Sequence, residues 1–125
     1  MQRADKPWWC LVALSGALTV ILGAYAAHGL ASRTTAAMVD IVETGVRYQA
    51  WHTLAMLAML AWRSQDPQPG QRIVLALWAL GITAFSGSLY LMALVGLSVG
   101  VVTPIGGLLL MAGWLGLAVT ALLSR

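Results

Sequence analysis

"IVLALWALGITAFSGSLYLMALVGL", residues 73–97, runs from one end to the other without a charged side chain. A helix that crosses a bilayer needs about 20 predominantly apolar residues, so this stretch is long enough to span alone. In a chain this short it also decides the class, because its neighbours repeat the pattern. After the brief link "SVGVV", 98–102, comes "TPIGGLLLMAGWLGLAVTALLS", 103–124, a second spanning run. The link is too short for anything but an antiparallel helical hairpin. Pro104 suits the first turn of the later helix, where its missing N–H costs nothing.

Upstream, "RSQDPQPGQR", 63–72, has two prolines, a glycine and no apolar residue, and reads as a loop. Before it stands "YQAWHTLAMLAMLAW", 48–62, apolar but short for a span. It is preceded by "TTAAMVDIVETGVR", 34–47, in which Met38, Ile41, Val42, Gly45 and Val46 follow a helical period. Asp40, Glu43, Thr44 and Arg47 fall on other faces. Glu43 and Arg47 have favourable i,i+4 order, and Thr34 or Thr35 can cap the start. This pattern predicts an amphipathic surface helix over 35–46 that lies at the bilayer boundary, apolar face down, and leads into the second span. The first run, "WWCLVALSGALTVILGAYAAHGL", 8–30, is longer than the core of a cleaved signal and is read as a spanning helix despite its "AYA" triplet.

Composition agrees. Of 125 residues, 60% are hydrophobic and 9% charged, against about 25% charged in an ordinary soluble domain. A soluble fold of this size could not hide that much apolar surface. The sequence therefore predicts an all-α, polytopic membrane protein: one domain over 1–125, a four-transmembrane-helix bundle with spans near 8–30, 48–62, 73–97 and 103–124. The net charge of +3 rests on scattered basic residues and is no nucleic-acid signature. Arg3, Lys6, Arg63, Arg72 and Arg125 share one side of a four-span topology, against Arg33 and Arg47 on the other. The excess of basic residues predicts a multi-pass protein with both termini cytoplasmic. The lone cysteine, Cys10, excludes an internal disulfide. Small residues recur at four-residue spacing along Ser15, Thr19, Gly23 and Ala27, along Ala79, Thr83 and Gly87, and along Ala112, Gly116 and Thr120. Such stripes let membrane helices approach, within one chain or between copies.

Polar residues within the spans are the candidates for function, since an intramembrane ionisable group is costly unless paired. The chain has two histidines, His28 at the end of the first run and His52 near the start of the second. With Tyr48, Gln49, Ser86, Ser88, Tyr90 and Thr103 they form a candidate polar cluster in the outer half of the bundle. Such a cluster can simply join helices, with His28 bonded to His52, Gln49, Tyr90 or Ser88. It can also hold a ligand or handle protons, or use the two histidines on a haem or copper ion. No GxSxG, HExxH, Walker sequence or carboxylate pair lies within the spans, and nothing else calls for a catalytic residue, a metal or a cofactor.

"LSGALTVILGAYAAHGL", "YQAWHTLAMLAML", "FSGSLYLMAL" and "TPIGGLLLMAGW" resemble, in order and spacing, the "domain of unknown function 423" family. These are small bacterial inner-membrane proteins with animal relatives that include transmembrane protein 256. The resemblance spans about 10–124. It places family motif positions on Tyr25, Ala27, His28 and Gly29, on Tyr48, Gln49 and His52, on Ser86 to Tyr90, and on Thr103, Pro104, Gly106 and Gly107. Ala26 stands where the family often has glycine. The resemblance implies a fold and a compartment, not an activity. The function expected is non-enzymatic: a membrane protein that binds a lipid-like ligand or serves a larger membrane complex. A transporter or channel built as an oligomer is the alternative, and a haem or redox subunit a third reading. The partners implied are membrane lipids, a homo-oligomer or a larger membrane complex, and no nucleic acid.

Overall fold

The computed structural model describes residues 2–125 and, among them, contains helices and no strand. Four long helices succeed one another: α1 (Lys6–His28), α2 (Ala36–Gln65), α3 (Gln71–Tyr90) and α4 (Val102–Leu123). A short turn of 3-10 helix, Arg3–Asp5, leads into α1, and another, Leu30–Ser32, leaves it. A π-type turn, Leu91–Val95, extends α3 and ends at Gly96, whose φ of 79° is the left-handed conformation that stops a helix. Three stretches are long and apolar enough to cross a membrane: Arg3–His28, Gln71–Val95 and Val102–Leu123.

The predicted surface helix and second span are one unbroken helix. Thr35 caps it, its hydroxyl accepting from the Met38 N–H at 3.3 Å, and it continues for 30 residues to Gln65. Hydropathy changes at Arg47, but no proline or helix-ending glycine stands there to interrupt the hydrogen-bond ladder. At 1.5 Å per residue the helix is about 45 Å long, well beyond a hydrocarbon core of about 30 Å. The apolar stripe of 35–46 is not laid on lipid. Val42 is fully buried and packs with Ala26 and Leu30, with Tyr90 and Ala93 beside them. Where the sequence suggested a boundary helix, the segment is the outer end of α2, covered by α1 and by the top of α3.

Packing runs in chain order: α1 lies on α2, α2 on α3, and α3 on α4. The α3–α4 hairpin is the closest pair. A side chain at Gly106 would strike the backbone of Phe85, and one at Gly113 would strike the Trp78 indole. Gly106, Gly113 and Thr120 are buried along α4 with Leu110 between them. These small residues recur every seven positions, the period that keeps one seam facing a partner helix. The four-residue stripe read from the sequence meets this seam at Thr120 and approaches Val74 of α3 at Gly116, while Ala112 is only partly buried. On α3 the predicted stripe of Ala79, Thr83 and Gly87 faces an open groove, while Gly81 makes the close approach, to Leu110. The central core is Met56, Met59 and Leu60 from α2 with Val74, Leu75 and Trp78 from α3. Many large apolar residues on the outside, among them Leu14, Val20, Leu115 and Leu122, remain exposed, as a lipid-facing surface requires.

Candidate functional site

Two polar regions are separated by the apolar core. The first closes one end of the bundle and lies outside the predicted cluster. Asp5, 1% exposed, accepts from Arg63 Nε at 2.6 Å and from Arg72 Nη2 at 3.1 Å. Gln71, fully buried, accepts the Gln68 N–H at 2.9 Å on Oε1 and donates from Nε2 to the Asp66 carbonyl at 3.2 Å. Gln68 in turn holds the backbone N–H of Arg125 at 3.1 Å. The N-terminal segment, the α2–α3 loop and the C-terminal residue therefore meet at the same end of the molecule. The number of crossings is then even, and α2 must be one of them.

The second region lies at mid-depth and beyond, about 15–28 Å from the ionic end when counted along the helices. Gln49, on α2, is its hub. Its Nε2 donates to the Ser15 carbonyl at 3.2 Å and to the Ser15 hydroxyl at 3.1 Å on α1. Its Oε1 accepts from the Tyr90 hydroxyl on α3 at 2.7 Å. Ser15 also bonds Thr53 at 2.7 Å, and Ser86 donates to the Gly45 carbonyl at 2.7 Å. Gly45 is glycine for a steric reason, since a side chain there would meet the Tyr90 ring at 2.7 Å. Ser88 bonds Thr103 at 2.6 Å and so ties α3 to α4.

His52 serves a different seam. Trp114 on α4 donates its indole N–H to Nε2 at 3.0 Å, and Nδ1 lies 2.6 Å from the Tyr48 carbonyl. An indole nitrogen can only donate, so Nε2 accepts and the ring proton sits on Nδ1. Counted from Arg63 the histidine lies about 16 Å along α2, near the middle of the bundle, although it stands near the start of the second apolar run. Both ring nitrogens are hydrogen-bonded within the bundle.

The predicted cluster thus divides. Gln49, Ser86 and Tyr90 come together, and His52 and Tyr48 join α4 through Trp114. Ser88 and Thr103 form a third tie. His28 joins none of these. It is exposed at the end of α1, and its ring makes no hydrogen bond among the described residues. The helix ends there, at Gly29, and the candidate partners lie deeper in the bundle. Ser15, Thr53 and Trp114 complete the region and stand outside the predicted cluster. Trp114 carried a readable signal, since an indole in the middle of a span, far from the interface, needs an acceptor.

Because α1 and α3 both lean on α2, a groove opens between them. Its volume is about 390 Å³. Leu11, Leu14 and Leu18 form one wall and the small residues of α3 the other, with Met56 at its base. Ser15, Gln49, Ser86 and Tyr90 supply its polar part. A second groove of about 670 Å³ lies between α2 and α4, lined by Trp51, His52, Phe85 and Trp114. The first groove gathers an amide, a phenol and hydroxyls from three helices and is the more polar in its lining side chains. Among the described residues no group of three or more histidine, cysteine or acidic side chains could hold a metal.

Comparison with known proteins finds a family and relatives that this chain resembles. The family described as "Protein of unknown function (DUF423)" matches residues 22–107. A "UPF0382 membrane protein" of Haemophilus influenzae is 43% identical over 116 residues, covering 92% of this chain and 93% of that protein. The "UPF0382 inner membrane protein YgdD" of Escherichia coli is 38% identical over 111 residues, covering 82% and 79%. The "UPF0382 membrane protein YwdK" of Bacillus subtilis is 32% identical over 119 residues, covering 93% and 96%. No solved structure matches.

Proposed function

The chain belongs to the DUF423 family of membrane proteins, and we propose that it is a non-enzymatic member that holds a lipid-like amphiphile in the groove between α1 and α3. One observation carries the reading: the groove is apolar along its walls yet is lined by the buried Gln49 amide and Ser86 hydroxyl and by the half-buried Tyr90 phenol and Ser15 hydroxyl. A molecule that is mostly chain with one polar group matches such a surface. The non-enzymatic part of the reading is supported by the floor itself, whose groups are neutral and bonded to one another. Neither a nucleophile paired with a base nor an ionised acid is among them.

The membrane is taken to be the bacterial inner membrane, in keeping with the name of the Escherichia coli relative. Both termini are assigned to the cytoplasm because the end that gathers them also gathers most of the basic residues. A cysteine placed at Ser32 is then labelled from outside the cell, and labelling only from the cytoplasmic side would reverse the assignment.

The groove is tested by native mass spectrometry from mild detergent, comparing the wild type with Gly87→Leu. A Cβ at Gly87 would meet nothing within 4 Å and Gly87 lines the groove, so leucine is chosen to fill it. Co-purified lipid adducts are expected on the wild type and absent from the variant. Equal adducts on both would remove the groove as their seat. A dimer broken by Gly87→Leu would show that a second copy, not a lipid, occupies it.

A further inference from the structure

We infer that the groove selects a single-chain lipid with a neutral, hydroxyl-bearing head over one with a charged head. This inference rests on the groove being the binding site. Its basis is a count of protons and lone pairs. Both N–H bonds of Gln49 are directed at Ser15, the Tyr90 proton at Gln49, and the Ser86 proton at the Gly45 carbonyl. The Ser15–Thr53 contact consumes one of its two hydroxyl protons. What remains is mainly acceptor capacity: on the half-buried Tyr90 oxygen and on the second lone pair of Gln49 Oε1, with the Ser86 oxygen more deeply buried. Against these stands a single uncommitted hydroxyl proton.

A phosphate or carboxylate head would bring further lone pairs and a charge to a surface already rich in acceptors, and no cationic side chain lines the groove. An ammonium head would bring donors, but no acidic side chain lines the groove either, and an unpaired charge at this depth is costly. A hydroxyl brings one proton, one oxygen and no charge. It can also accompany its chain below the interface, where a charged head cannot. The volume of about 390 Å³ lies toward the small end of ligand cavities. Together with the closely facing leucine and small-residue walls, it suits one chain rather than two.

The test uses three matched amphiphiles, tetradecan-1-ol, tetradecyl phosphate and tetradecylammonium, added to the full-length protein after delipidation in mild detergent. Affinity is read from the rise in thermal unfolding temperature and checked by native mass spectrometry. The alcohol is expected to bind about tenfold more tightly than either charged analogue, roughly the worth of one hydrogen bond. That preference should be lost in Gly87→Leu and reduced in Tyr90→Phe. Thr83→Leu, which intrudes one turn away, repeats the test should Gly87→Leu fail to fold. A charged analogue that binds as tightly as the alcohol, and is still displaced by the groove-filling variants, overturns the hydroxyl preference and leaves the groove standing. If no amphiphile is sensitive to either groove-filling variant, the groove itself is rejected and the preference with it.

Discussion

The two polar regions solve the same problem with opposite chemistry. At the ionic end, full charges are buried: one carboxylate between two guanidiniums, with glutamine amides filling the remaining positions. In the middle of the bundle no charge is used, and an amide, a phenol, an imidazole, an indole and several hydroxyls join the helices. The difference comes from depth. Near the interface a charge keeps part of its hydration, as the half-exposed Arg72 side chain does. At mid-depth there is no water to share, so only groups that are neutral when satisfied are tolerated. The ionic end is therefore brittle, and the neutral layer is forgiving.

That contrast can be broken by substitution. The largest effect is expected from Asp5→Ala, which strands Arg63 without its partner in a buried site. Loss of about 3–5 kcal/mol is expected in an unfolding titration in mixed micelles. Arg72→Ala, at the exposed side of the same carboxylate, should cost less than about 1 kcal/mol. If the two are equal, burial does not govern this end. Gly106→Ala comes next: it drives a methyl group into the α3 backbone and should cost about 1–3 kcal/mol by the same titration. In the neutral layer, Tyr90→Phe and His52→Phe should each cost about 0.6 kcal/mol, with an upper range near 1.7 kcal/mol. A loss as large as that of Asp5→Ala would make the layer a second keystone and end the comparison. The smallest effect belongs to His28→Ala, within about 0.5 kcal/mol of wild type, as at a surface position away from special contacts. A clear destabilisation would mean that His28 has a partner outside this chain.

What the sequence discloses depends on whether a residue speaks through lipid or through a distant partner. The runs 8–30, 73–97 and 103–124 match α1, α3 with its π turn, and α4 because the bilayer imposes its own length and composition on each. Helicity over 35–46 was equally legible. Its continuity with the second span was not, since hydropathy changes at Arg47 and the backbone does not. Gln49, Ser86 and Tyr90 were recognisable because polar groups stand out against an apolar run. Asp5 was invisible for the converse reason. It sits in a polar stretch where a carboxylate is ordinary, and its partners are 58 and 67 positions away. The packing seam of α4 was hidden by a competing regularity: Ala112 and Gly116 suggest a period of four, while the buried positions keep a period of seven.

The ionic knot also dates the molecule's assembly. A ribosome releases the chain from one end only. The carboxylate of Asp5 must wait until Arg63, and then Arg72, have been synthesised before it can be neutralised. Through that interval the first helix stands in the bilayer with its leading acid still in water, and no contact of the knot holds it to the later helices. The bond between Gln68 and the backbone of Arg125 comes later still, since the two lie 57 positions apart. A nascent protein halted after its third helix would carry the salt bridges but lack this last clasp. The knot thus closes in stages, in the order in which its partners are made.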